Sequence, residues 1–392
     1  MPTTYQTTTN HEFLYIDNND DLLAYCDSIK DSTTLFVDTE FIREKTYAPV
    51  LCLIQVATED TLACIDPLNI SNLEPFIDLI FNPAITKVFH AARQDLEIFY
   101  NIRKTAPESI FDTQVAATLL GYADQIGYGN LVHTLLKVTL DKKFARTDWT
   151  QRPLSKEQLE YAINDVIYLK EIYHIITEKL SEHDRLDWLN DDFDLLSKNS
   201  TFEAHPENMW RKVKGHNKLN GLQRAVLQDL AGWREQKAIS SDRPRKWILS
   251  DDVLLSLAQH QPDSMPKLEK TRGLNDGVIK KSGNVLIEII QQSLQRPQES
   301  WPTLPKFVKT SVQQDALIDC IMAIVRLCAA REKIAITMLC SKKDLEKWLV
   351  ADEKINLFKG WRKKLAGDQV TAFVSGNISI TAKGNKLNIL KN

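Results

Sequence analysis

Short apolar runs dominate the front of the chain, and helical periodicity dominates the back. Residues 33–42, "TTLFVDTEFI", cluster apolar side chains as a strand does. "VLCLIQVAT" at 50–58 and "TLACIDP" at 61–67 repeat the pattern on either side of the acidic turn "EDT". These three strands are expected to form an antiparallel meander. "TKVFH" at 86–90 predicts a further strand running into a helix over "AARQDLEIFYNI". "SIFDTQVAATLLGY" predicts a strand end and then another helix. The longest helix is expected in "LSKEQLEYAINDVIYLKEIYHIITEKL", with Ser155 as its N-cap and Glu157 and Glu160 near its positive end. Strand–helix units that follow a group of strands indicate an α/β layer fold for roughly the first 180 residues.

The pattern then turns helical. One module is expected from about Asn208 to Gln292, and "RPQESWPTLP" at 296–305 reads as a proline-rich linker. A third, mostly helical module covers about 306–367. The tail "TAFVSGNISITAKGNKLNILKN" alternates like β structure and carries three lysines; a hairpin and a disordered tail both remain open. Two basic helical modules in series are compatible with a diverged pair.

Composition narrows the class. A chain of 392 residues with 43% hydrophobic and 26% charged side chains is expected to be a globular protein of two or three domains. The most apolar stretch, around 315–340, is interrupted by Asp319, Arg326 and Arg331, so no membrane span is expected. "MPTTYQTTTNHEF" lacks the basic and apolar regions of a signal peptide. Six cysteines without CxxC or finger spacing point to reduced core thiols in a cytoplasmic protein, not to a zinc site. The net charge of −3 hides an asymmetry. Residues 1–204 carry 33 acidic against 17 basic side chains, a net of −16. Residues 205–292 carry 10 against 15, a net of +5, and residues 293–392 carry 9 against 17, a net of +8. One reading is solvation by unlike surfaces. The other is a back half that meets a polyanion and a front half that holds cations.

Four acids stand where acids are costly. Asp38 and Glu40 lie in the apolar strand "LFVDTEFI", and their i, i+2 spacing points both to one face. Asp95 lies near the start of the helix in "VFHAARQDLEIF". Asp165 sits in the long helix among Ala162, Leu169 and Ile172, with Tyr161 one turn earlier on the same face. Buried carboxylates are expensive, and four converging would repel strongly unless a cation held them. Oxygen-only ligands suit Mg²⁺ or Mn²⁺, and two such ions about 3.5–4 Å apart form a clamp for phosphoryl displacement. Each acid also has a plain alternative. Asp38 could end a strand, Glu40 could pair with Arg43, Asp95 could be exposed beside Arg93, and Asp165 could bond the Tyr161 hydroxyl alone.

Taken together, "VDTEF", "HAARQDL" and "YAINDV" resemble the three motifs of the DEDD exonucleases, the last in its tyrosine form. Their order, and "DWTQRPL" leading into the third, resemble the ribonuclease D branch over about residues 15–190. The resemblance implies a ribonuclease H-like α/β domain, a mixed sheet with flanking helices, at 1–204. It implies that Asp38 bridges two divalent ions, that Glu40 and Asp165 complete one shell, and that Asp95 serves the second ion. Tyr161 is then expected to orient the attacking water; with an ordinary pKa near 10, a phenol suits positioning better than base catalysis.

Residues 205–294 resemble the helical HRDC domain shared by RecQ-type helicases and ribonuclease D, on "LQRAVLQDLAGWREQKAISSDRPRKWILSDDVLLSLAQHQP" and "LNDGVIKKSGNVLIEII". Residues 295–392 are expected to be a second HRDC-like helical domain with the tail. Gln55, Trp149 and Arg152 in the front half, and Arg243, Arg245, Lys246, Lys280 and Lys281 in the back half, are candidate nucleic-acid contacts. The alternative for each is a core or solvated role; His90 is expected to be structural. The resulting expectation is a monomeric 3′–5′ exoribonuclease that trims structured RNA with a free 3′ end, such as tRNA precursors, and releases 5′-mononucleotides. A DNA exonuclease of the same chemistry and a non-catalytic RNA-binding protein are the competing readings.

Overall fold

A computed structural model describes residues 2–304 and 310–392. In chain order, the front of the molecule contains β1 (Thr3–Gln6), β2 (Glu12–Ile16), α1 (Asn19–Ile29), β3 (Thr34–Ile42), β4 (Val50–Ala57) and β5 (Leu62–Ile65). Next come α2 (Glu74–Phe81), β6 (Thr86–Phe89), α3 (Arg93–Arg103), β7 (Ile110–Asp112), α4 (Thr113–Thr118), α5 (Tyr128–Leu136), α6 (Lys156–Glu182) and α7 (Asn190–Leu196). The seven strands form one mixed sheet in the order β1-β2-β5-β4-β3-β6-β7. β3, β4 and β5 are neighbours, as the meander requires, and β4–β5 is antiparallel. β3–β6 and β6–β7 are parallel, joined through helices. The β1–β2 hairpin was not visible in the apolar pattern; β2 pairs parallel to β5 and extends the sheet.

β3 is buried from Leu35 to Val37, which explains its unbroken apolar run. α6 begins at the expected N-cap: Ser155 Oγ accepts from Gln158 N (3.2 Å), and Ser155 N donates to Gln158 Oε1 (2.8 Å). No helix among the described residues is long and apolar enough to cross a membrane.

The described residues fall into two compact units. The first combines Met1–Glu40, Leu51–Thr201 and Phe307–Asn392. Its later part holds four helices, and the second unit lies between them and the sheet in the chain. That second unit combines Phe41–Val50 and Phe202–Lys306. It contains α8 (Gly221–Ser240), α9 (Arg245–Ile248), α10 (Asp251–His260), α11 (Met265–Leu268) and α12 (Asp276–Leu294). Trp210, Leu227, Leu230, Leu254, Leu286 and Ile290 form its buried core. The β3–β4 connection belongs to this unit. Tyr47 donates its hydroxyl to Glu235 Oε1 (2.6 Å), and Asp242 Oδ1 accepts from the Tyr47 and Ala48 amides (3.0 and 3.2 Å). The proline-rich stretch after α12 is also tied down, by Arg296 Nη1 to Asp229 Oδ1 (2.9 Å). Pro305, at its end, lies outside the described residues, as do 306–309 at the start of the third helical module.

The first unit closes with α13 (Val312–Glu332), α14 (Lys342–Ala351), α15 (Gly360–Arg362), α16 (Asp368–Val374) and a hairpin of β8 (Ile378–Lys383) and β9 (Lys386–Lys391). The tail is therefore a hairpin, turned at Gly384 with φ 62°. These helices pack onto the α/β part. Trp361 stacks on Trp188 at 4.5 Å, and Arg362 pairs with Asp192 (3.0 Å). Arg185 reaches the Leu119 carbonyl (3.1 Å) and Glu332 (3.3 Å).

A close approach across this seam is at Gly121, whose φ is +83° and where a Cβ would sit 2.7 Å from the Lys333 carbonyl oxygen. Gly121→Ala is expected to lower stability by about 2 kcal/mol, combining left-handed strain with a backbone clash. Calorimetry reads this as a lower Tm; an unchanged Tm would show that the helices tolerate displacement at this seam.

Candidate active site

The sheet order decides which acids meet. β3 lies between β4 and β6. Asp38 and Glu40 therefore sit beside the end of β6, where the chain turns into α3 and brings Asp95. The turn is held by Asp112, the N-cap of α4, which is 3% exposed. Its carboxylate accepts from Ala91 N (3.1 Å), Ala92 N (2.9 Å) and Gln114 N (2.8 Å). This holds Ala91 at φ 59°, a left-handed conformation that alanine adopts only when its surroundings impose it. Asp95 is buried and accepts from the Thr39 hydroxyl, between the two β3 acids.

α6 forms the other wall. Asp38, Glu40, Tyr161 and Asp165 line one cleft of about 740 Å³, together with His90, Tyr128, Asn164 and the 138–145 loop. Asp95 does not line that cleft. The N-terminal hairpin forms part of the rim, where Thr8 N donates to Glu160 Oε1 (2.7 Å).

The acids act on one another. Burial pushes the Asp38 carboxyl well above the usual range, and the charge of Asp165 adds to this. Glu40 is pushed up to about 9, first by burial and then by Asp38, Asp165 and Asp95. Burial, then Asp38, raises Asp95, and burial alone raises Asp165 to about 7. Among the described residues, the charges that raise Asp38, Glu40 and Asp95 are those of other carboxyl groups. Tyr161 is raised by burial and then by Asp165, Glu40 and Asp38, so its phenol stays protonated at neutral pH.

Among the described residues, no cluster of three or more histidine, cysteine, aspartate or glutamate side chains is already gathered as an ion's ligand shell. The donor chemistry nevertheless fits hard divalent cations. The set is all oxygen and lacks a basic partner, and its mutual repulsion is what a bound cation would relieve.

The structure reassigns several expected nucleic-acid contacts. Arg152 is not free for phosphate. Its guanidinium bonds both oxygens of buried Asp66 (2.5 and 2.7 Å) and the carbonyls of Cys52 (2.6 Å), Trp149 (2.8 Å) and Gln151 (2.8 Å). Trp149 is 2% exposed and packs on Tyr161 at 6.2 Å, so it seals the core and does not offer a stacking face. Gln55 is fully buried in β4, away from any groove. Arg245 is committed within the second unit, to Glu235 (2.6 Å) and over the Tyr47 ring at 4.9 Å. Arg243, Lys246, Lys280 and Lys281 are exposed there, and Trp247 beside them is 59% exposed. His90 is structural as expected. Its Nε2–H donates to the Ile126 carbonyl (3.0 Å), and Nδ1 meets the Thr113 hydroxyl (3.0 Å). Thr39, Asp66, Asp112 and Tyr128 were missed. Only Asp112 carried a local signal, as an N-cap residue before "TQVAA".

With this geometry in place, the likenesses to known proteins become informative. Residues 13–181 match the 3′–5′ exonuclease family pattern, and residues 223–290 match the HRDC domain. The ribonuclease D of Bartonella henselae is 36% identical over 97% of this chain and 94% of its own length. That of Jannaschia sp. is 36% identical over 96% of this chain and 99% of its own. Among solved structures, Escherichia coli RNase D, described as an exoribonuclease involved in structured RNA processing, superposes with a TM-score of 0.79. It is 29% identical and covers 93% of this chain and 99% of its own.

Asp66 yields a pH-dependent test. Burial raises its pKa, but hydrogen bonds from Arg152 and Tyr15 outweigh this and leave it below the ordinary value. A carboxylate depressed on folding stabilises the protein above its unfolded pKa of about 3.9, and that stability is lost as pH falls through the folded value. Arg152→Ala strands a buried charge and is expected to cost about 3–5 kcal/mol at pH 7. The gap to the unmodified protein should shrink as denaturation is repeated from pH 5 towards pH 2. A gap that stays constant over that range would rule out the ion pair as its source.

Proposed function

The chain belongs to the ribonuclease D family and is a 3′–5′ exoribonuclease, and from that premise we propose that it trims the 3′ ends of structured RNA such as tRNA precursors, one 5′-mononucleotide at a time. The supporting observation is the cleft lined together by Asp38, Glu40, Tyr161 and Asp165, in which the charges of Asp38 and Asp165 push Glu40 up. Escherichia coli RNase D is an exoribonuclease involved in structured RNA processing, which supports structured RNA as the substrate class. The proposal includes catalysis by residues 1–204, an HRDC domain at 205–294 and an HRDC-like segment at 295–392. It also includes action as a cytoplasmic monomer.

Asp38, Glu40, Asp95 and Asp165 are the residues that would hold two divalent ions, Mg²⁺ or Mn²⁺. Such ions, when bound, supply Lewis-acid stabilisation of the phosphate and of the leaving oxygen. In the hydrolysis, water adds to the terminal phosphorus, and the bond from that phosphorus to the preceding 3′ oxygen breaks. Tyr161, protonated at neutral pH, orients the water by a hydrogen bond and does not remove its proton. Trp149, packed behind it, limits the motion of that ring. Exposed Arg243, Lys246, Lys280 and Lys281 would contact the phosphates of the RNA body.

The decisive assay follows shortening of matched 3′-tailed RNA and DNA strands with Mg²⁺ or Mn²⁺ and identifies the products. Preferential release of 5′-mononucleotides from RNA is expected. Preference for DNA would overturn the RNA assignment, and intact strands would overturn the catalytic one. Asp38→Asn should reduce turnover by about 10³-fold or more, and Tyr161→Phe by about 10²-fold with metal binding largely kept. Changing Arg243, Lys246, Lys280 and Lys281 to Ala together should flatten the dependence of log affinity on log salt by up to about 3. An unchanged slope would remove these residues from the RNA interface.

A further inference from the structure

Tyr128 stands outside all three acidic motifs, yet it touches the structure behind two of them. It is the first residue of α5 and lines the catalytic cleft. Its hydroxyl donates to the backbone carbonyl of Asp165 (2.6 Å) and lies 3.1 Å from that of Asn164. Asp165 C=O and Leu169 N–H are the i and i+4 partners of one helical turn, so the phenol sits on the rung of α6 that carries the Asp165 side chain. A side chain inserted at a rung sets the local direction of a helix.

The other end of Tyr128 is also anchored. Its ring meets the imidazole of His90 edge-on at 5.4 Å. Burial lowers the His90 pKa, so the ring is neutral. Nε2–H then donates to the Ile126 carbonyl (3.0 Å), and the single proton of the Thr113 hydroxyl faces both Nδ1 (3.0 Å) and the Phe89 carbonyl (3.1 Å). His90 follows the last residue of β6 and stands five residues before Asp95. A column therefore runs from Thr113 through His90 and Tyr128 to the backbone of Asp165. It links the segment that carries Asp95 to the segment that carries Tyr161 and Asp165.

We propose that Tyr128 is a positioning residue, which sets the placement of the Asp165 carboxylate through the α6 backbone and couples it to the His90 end of β6. It does not touch the reacting atoms. This rests on the reading of Asp165 as a ligand for a divalent ion.

The test uses the full chain and Mn²⁺ as the probe. Tyr128→Phe keeps the ring against His90 and removes only the hydroxyl. Calorimetric titration should show Mn²⁺ affinity weakened roughly tenfold, the size seen when groups that orient metal ligands are removed. In RNA trimming, kcat should fall by a similar factor and KM should stay unchanged. Thr113→Val is the second variant. It unpins His90, leaves the phenol in place, and should weaken Mn²⁺ binding in the same direction by a smaller factor. A folded Tyr128→Phe protein with unchanged Mn²⁺ affinity and kcat, altered only in Tm, overturns the proposal. If Tyr128→Phe does not fold, unchanged Mn²⁺ affinity in Thr113→Val overturns it. If the unmodified protein binds Mn²⁺ but does not shorten RNA, the activity reading fails, and the comparison of Mn²⁺ affinities still decides the role of Tyr128.

Discussion

The rest of the catalytic unit is arranged around an unfavourable contact: four carboxyl groups brought together at low solvent exposure, with no ion pair to a basic side chain among the described residues. Burial and like charge raise all of them or leave burial alone to do so, and Glu40, at about 9, carries the clearest sign of the conflict. A fold that placed them for stability alone would pair each with a cation, as it does for Asp66. Asp66, lowered by hydrogen bonds from Arg152 and Tyr15, braces the protein, whereas burial raises Asp165 within the cleft.

Holding those groups in place requires supports that share no motif with them. Asp112 binds successive amides and keeps Ala91 in a left-handed conformation, which turns the chain from β6 into α3. Arg152 uses its guanidinium to fasten the segment before α6 to β4 and to Asp66 at the end of β5. Thr39 receives no attention from a charge-based reading, yet its hydroxyl holds Asp95. These are strong, directional bonds within a poorly solvated interior, where an unmade bond is costly. Rigidity at the site is therefore derived from groups around it.

The second unit has its own logic. Its core is aliphatic around Trp210, and its polar anchor is Glu235, fully buried and shared between Arg245 and Tyr47. Committing Arg245 inward leaves Arg243, Lys246 and Trp247 outward, so that one short stretch supplies both an internal brace and an exposed basic and aromatic surface. Basic composition alone does not separate the two uses.

Local periodicity determined a good deal. The spacing of two along β3 put Asp38 and Glu40 on one face, and the spacing of four along α6 put Tyr161 over Asp165. The Ser155 cap and the apolar strand runs follow from the same short-range geometry, whereas the alternation of the tail left a hairpin and a disordered segment both open. The chain also disclosed the motif order that identifies its family. The sequence left open whether Asp95 would reach the other acids, which basic residues were free and what stood behind Asp165. Arg152 meets Asp66 from 86 residues away and the Cys52 carbonyl from 100, and Tyr128 meets Asp165 from 37. Backbone dihedrals repeat every two or 3.6 residues and can be read from neighbours. The partner of a distant polar group depends on sheet order and on the packing of the whole chain, so only the tertiary structure assigns it.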